Sequence, residues 1–130
     1  MSINKVILVG YVGKDPEIRY LKERFSVANF SLATTHTIGK TASGGTREEQ
    51  TEWHRIVAFG EQAAFAEQWV RKGSLLAVEG RISYRNYTDK QGTMHSITEI
   101  VAERLHFVGN PPREYSQAPK QPLYSLAQDG

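Results

Sequence analysis

TEWHRIVAFGEQAAFAEQWVRKGS, Thr51 to Ser74, changes its periodicity half-way along. From Thr51 to Gly60 a period of two places Trp53, Arg55, Val57 and Phe59 on one side of a strand, and His54, Ile56 and Ala58 on the other. The second side is an ordinary small core face. Gly60 closes the strand, and Glu61 to Lys72 follows with good helix formers throughout. Phe65 and Trp69 stand four residues apart, which puts both on one helical face and predicts both in the core. Arg71 and Lys72 suit the negative end of the helix dipole, and Gly73 suits the position just past the last turn. One strand therefore runs straight into one helix.

Outward from this stretch, the remaining periodic segments read as strands. Ile3 to Val12 is a nearly continuous apolar run rich in Val and Ile, the mark of a strand covered on both sides. Asp15-Pro16 marks a turn. Phe25 to Thr37 alternates, with Ala28, Phe30 and Leu32 facing one way and Asn29 and Ser31 the other. Ile38 to Gln50 has glycines among polar residues and no periodicity, so it reads as a long loop. Beyond the helix, Leu75 to Tyr87 is a long strand, Asp89 to Gly92 a hairpin turn, and Thr93 to Val108 a last, bent strand. Five strands with one helix between the third and fourth predict an all-β fold, a five-stranded Greek-key barrel of the OB type. A small antiparallel sandwich is the alternative that the same order allows.

The barrel is expected over residues 1–109. From Asn110 to Gly130 the chain turns to Pro, Gln and Ser, with four of its five prolines, and a disordered tail is expected. The 130 residues suit a single domain. There is no cysteine, which excludes disulfides, thiolate metal sites and thiol nucleophiles. His36, His54, His95 and His106 show no ligand spacing, so neither a metal nor another cofactor is expected. No Ser/His/Asp or paired-carboxylate set stands out, and no catalytic residue is assigned. Gly39-Lys40-Thr41 resembles the end of a phosphate-binding loop, but the required upstream glycine is Thr34 and no helix follows. There is no secretory signal and no run near the roughly 20 apolar residues that span a bilayer. A soluble, cytoplasmic protein without a membrane partner is expected.

Sixteen basic and fourteen acidic side chains leave a formal charge of +2, too balanced to mark nucleic-acid binding by itself. Distribution says more. In the strand after the helix, Leu76, Val78, Ile82 and Tyr84 can share the inner face, which leaves Glu79, Arg81, Arg85 and Tyr87 outside. If the two strands pair, Trp53, Arg55 and Phe59 join Arg81, Arg85 and Tyr87 in one patch. Aromatic rings stack on bases of any sequence, and cations neutralise phosphates and release counterions. The mixture suits a single-stranded nucleic acid, whereas duplex DNA hides its bases. The residues alone leave other readings open: Trp53 as a core or subunit contact, an adaptor that mainly holds other proteins, or an RNA-binding module of the same fold.

NKVILVG (Asn4 to Gly10), DPEIRY (Asp15 to Tyr20), SVANFSLAT (Ser26 to Thr34) and above all EQTEWHRIV (Glu49 to Val57) resemble the bacterial single-stranded DNA-binding protein family. RKGS (Arg71 to Ser74) and VEGRI (Val78 to Ile82) fit as well, and the resemblance covers about Met1 to Gly109. It implies an OB-fold domain that assembles as a homotetramer and wraps single-stranded DNA in replication, recombination and repair, associated with the nucleoid when bound. It also implies stacking on bases by Trp53, Phe59 and Tyr87, and basic positions near the DNA path at Arg55, Lys72 and Arg85. His54 matches a position associated with subunit assembly. The chain departs from the family near Ile38 and at Tyr87, where tryptophans are common. The family's acidic tail with a Pro-Phe tip, which recruits replication and repair proteins, is not matched by SLAQDG.

Overall fold

The alternating segments pair into one closed sheet. The computed structural model describes residues 1–22, 25–40 and 47–109. The expected tail from Asn110 and the middle of the expected loop lie outside them. The elements are β1 (Val6–Val12), β2 (Glu17–Tyr20), β3 (Ser26–Lys40), β4 (Arg47–Phe59), α1 (Gly60–Trp69), β5 (Leu75–Thr88) and β6 (Met94–Phe107). They lie in the order β1-β5-β6-β4-β3-β2, and a further pairing of β1 with β3 closes five of them into a barrel. β4 and β6 run parallel from Ile56↔Ile100 to Ala58↔Ala102, and the other pairings are antiparallel. This is the OB-type barrel expected, with its helix between the third and fourth barrel strands. Closure through Tyr11↔Ala33 and Val12↔Leu32 removes the sandwich alternative.

Inward-facing apolar residues fill the barrel. Leu32 of β3, Ile56 of β4 and Leu76 and Val78 of β5 are almost wholly buried. The helix closes one end through the buried Ala63 and Ala66, whose small side chains let its backbone approach the strands, and Val70 just past its end is fully buried as well. Phe65 packs against this core beside Phe107, at 5.8 Å between ring centroids. Trp69, expected in the core, is only half-buried, since the helix ends there and Val70 already has extended backbone. The helix is thus shorter than the expected Glu61 to Lys72. Arg71 lies past its end and caps it, donating from Nη1 to the carbonyls of Glu67 (3.0 Å) and Val70 (2.7 Å).

Other expectations need correction. The loop placed over Ile38 to Gln50 is narrower, because β3 continues to Lys40 and β4 begins at Arg47 as a long two-stranded arm. A short strand, β2, follows Asp15-Pro16 and pairs with Ser26–Asn29 of β3. β1 is covered on one side only: Ile7, Val9 and Tyr11 are exposed, for among the described residues no second layer lies over them. The strands before and after the helix do not pair, since β6 lies between them. Tyr84, expected inside, is 67% exposed, because the β5–β6 hairpin runs on past the barrel with no third strand against it among the described residues. Its twist is set at a bulge between Glu79 and Gly80. There a side chain is impossible: a Cβ on Gly80 would sit 2.1 Å from the Val101 carbonyl oxygen.

Candidate nucleic-acid interface

The outward faces of five strands form one trough. Glu17, Asn29, Val57, Val101 and Arg81 are successive partners across β2, β3, β4, β6 and β5. Along this row runs a groove of about 950 Å³. Val57 shares the outward parity of Trp53 and Arg55 yet is only 6% exposed, because its neighbours on β3 and β6 wall it in as floor. Cations line the groove at Lys14, Arg19, Arg55, Arg81 and Arg85, against acids at Glu17 and Glu99. The inserted β6 does not break the patch expected from β4 and β5. It supplies part of the floor and one of the acids.

Not every cation is equally available. Arg85 is held by Glu99, with Nε donating to both carboxylate oxygens at 3.2 Å and Nη2 to Oε2 at 3.0 Å. That hydrogen bonding, and then the carboxylate charge, holds the guanidinium above its ordinary range. Arg81 Nε lies 3.7 Å from Glu103, with both side chains about half exposed, a weak contact in water. Among the described residues nothing forms an ion pair with Lys14, Arg19 or Arg55.

The aromatic residues stand at and beyond the groove. Phe59 lines it, half exposed, and its ring stacks on Phe25 at 6.1 Å and 17°. Trp53 is 61% exposed on the continuation of β4, two residues beyond Arg55. Its ring lies over Gly13, where a Cβ would come 2.6 Å from Cζ3. Tyr87, two residues beyond Arg85, is exposed on one side and stacked on His95 on the other, at 5.0 Å and 22°. His95 Nε2 is 2.8 Å from Asp89 Oδ2, so the ring behind Tyr87 is anchored in turn.

Lys72 and His54, like Trp53 and Tyr87, lie outside the groove lining. Lys72 is exposed in the turn after α1, where its backbone N–H donates to Asp15 Oδ1 at 2.8 Å. This ties the turn to the loop that carries Lys14. His54 is half-buried, its Nε2 2.8 Å from Thr34 Oγ1 across the β3–β4 pair. Charged groove residues that sequence reasoning missed are Lys14, Glu17, Arg19 and Glu99, and it also missed Phe25, which stacks on the groove's Phe59. Phe25 has the odd parity of Asn29 and Ser31, and Glu99 that of Val101, so both were detectable on the outward faces. Lys14 and Arg19 depend on where β2 pairs. Among the described residues, no three acidic or histidine side chains gather as a metal would need, and no helix is long and apolar enough to cross a membrane.

Comparison with known proteins agrees with this architecture. Residues 3–108 match the model of the single-strand binding protein family. A single-stranded DNA-binding protein 1 of Xylella fastidiosa is 43% identical over 108 residues, 83% of this chain and 79% of that protein. A single-stranded DNA-binding protein of Bacteroides thetaiotaomicron is 41% identical over 129 residues, 98% of this chain and 80% of the relative. The solved structure of a Plasmodium falciparum SSB complex with ssDNA superposes with a TM-score of 0.75 at 31% identity, covering 83% of this chain and 97% of the other. The chain belongs to the single-strand binding protein family.

Proposed function

We propose that this protein binds single-stranded DNA with little sequence preference, as an oligomer, and protects it in replication, recombination and repair. The observation that carries the reading is the groove across β2, β3, β4, β6 and β5, with its cations and its flanking exposed rings. Trp53, Phe59 and Tyr87 stack on bases, and Phe25 backs Phe59. Arg55 and Arg81 meet phosphates inside the groove, and Lys72 meets them on the adjoining rim. Arg85 belongs to the same surface in its pair with Glu99. Relatives of matching architecture are single-stranded DNA-binding proteins, a non-enzymatic family, so no catalytic step is assigned. Residues 1–109 form the binding domain and residues 110–130 a tail. A homotetramer, with His54 near its subunit contacts, is the assembly that goes with this reading.

Titration with oligo-dT, followed by tryptophan fluorescence, tests it. Quenching is expected from the exposed Trp53, with residual emission from the half-buried Trp69, and affinity should fall as salt rises. No quenching together with no retention of single strands at low salt would rule the reading out.

A further inference from the structure

A groove suited to a polyanion has a carboxylate in its floor. Glu99 lies on the outward face of β6, among the groove-lining residues, and is 9% exposed. A carboxylate so far from water needs a charged or hydrogen-bonding partner. Arg85 provides it side-on, through Nε and one Nη2 hydrogen, with all three distances between 3.0 and 3.2 Å. The two exposures differ sharply: 55% for the Arg85 side chain and 11% for that of Glu99. The guanidinium therefore stands at the groove surface with a negative charge fixed directly behind it.

Arg85 thus looks like a phosphate-binding cation by position, but the pair it forms carries no net charge. A phosphate arriving there meets the remaining guanidinium hydrogens and, about one bond length of hydrogen bonding further in, the Glu99 carboxylate. Lys14, Arg19 and Arg55 have no such counter-charge among the described residues.

We propose that Glu99 limits the affinity of the groove: by neutralising Arg85 it lowers by one the number of phosphate charges the surface compensates. The proposal rests on the reading of the groove as a single-stranded DNA surface. Its consequence is a complex that releases its strand more readily and responds less steeply to salt than the count of arginines implies.

The test compares the full chain with Glu99→Gln, Arg85→Gln and the double variant. Oligo-dT affinity is measured across a tenfold range of sodium chloride, and thermal unfolding checks that each variant folds. Glu99→Gln should bind more tightly at low salt. Its plot of log affinity against log salt should steepen by about 0.7, the value for one added phosphate contact on a single strand, or about five-fold more loss over the range. Arg85→Gln should weaken binding by exposing the strand to an uncovered carboxylate. The double variant, which removes a pair of no net charge, should return to the wild-type slope, and its paired amides keep the test usable if either single variant folds poorly.

An unchanged slope in Glu99→Gln overturns the proposal. So does weaker binding with a shallower slope, which would make Glu99 the support that aims Arg85 at a phosphate. A double variant with a slope shallower than wild type overturns it too. Failure of the wild-type protein to bind oligo-dT at all would instead overturn the reading of the groove.

Discussion

The Trp53 indole is 61% exposed, and its six-membered ring rests against a glycine. Gly13 leaves the ring just enough room, so the indole lies on backbone and offers its rest to solvent. Replacing Trp53 with alanine removes a platform without opening the core. The expected loss of oligo-dT affinity is about 1–3 kcal/mol, the usual worth of one stacked base. Thermal stability should stay within about 0.5 kcal/mol, as for other exposed positions. An affinity within error of wild type would place the DNA path elsewhere. Parity along β4 identifies Trp53, Arg55 and Phe59 as outward and Ile56 and Ala58 as inward, and the structure agrees. Parity cannot tell that Val57, on the same face as Trp53, is floor, because that depends on neighbours brought in by β3 and β6. The Arg85–Glu99 pair was hidden for the same reason, its members being fourteen positions apart in the chain.

At the scale of elements, the β5–β6 hairpin joins the groove to the residues that present Tyr87. Beyond Ile82↔Ile100 no third strand among the described residues pairs with it, so its tip relies on its own contacts. Asp89 provides several of them: Oδ1 accepts from the backbone N–H of Gln91 and of Thr93, each at 2.9 Å, and Oδ2 faces His95. The hydrogen bond with His95 comes first, and the Thr93 N–H next, among the causes that hold the Asp89 carboxyl below its ordinary 3.8. A carboxylate with a lowered folded value stabilises the tip above its unfolded value, and that contribution is lost as pH falls through the folded one. Amide resonances of Gln91 and Thr93 should therefore titrate together with a midpoint below 3.8. A midpoint at or above that value would show that the carboxylate is not held this way. The hairpin turn is legible from DKQG, and so is the helix from its formers, although they run three residues past its end at Trp69. Neither the short β2 nor the bulge at Gly80 is legible in the sequence: β2 has only four residues, too few to show a period against its near partners Ser26–Asn29, and the bulge exists only through pairing with β6.

For the whole molecule, the order of elements was enough to predict a closed barrel, but not that β6 would enter between β4 and β5. Alternating patterns state which faces are wet and leave open which strands are neighbours. The same limit applies to β1. Its unbroken apolar run predicts cover on both sides, and among the described residues only one side has it. Ile7, Val9 and Tyr11 remain 65%, 51% and 58% exposed in a row, on a strand whose backbone is already paired to β5. A continuous apolar row of this kind marks an association surface. If the proposed assembly covers it, Val9→Lys should dissociate the protein into smaller species, because it forfeits about 1.5–3 kcal/mol of burial per subunit and places an ammonium in an apolar contact. The fold should survive, since Val9 points away from the barrel core, and far-UV circular dichroism would check it. Short oligonucleotides, which one groove can hold, should still quench Trp53, while long strands that must pass between subunits should bind far more weakly. Light scattering of both proteins at matched concentration decides the matter. A wild-type monomer, or a variant whose assembly is unchanged, would mean that the exposed face of β1 meets something other than a second copy of this chain.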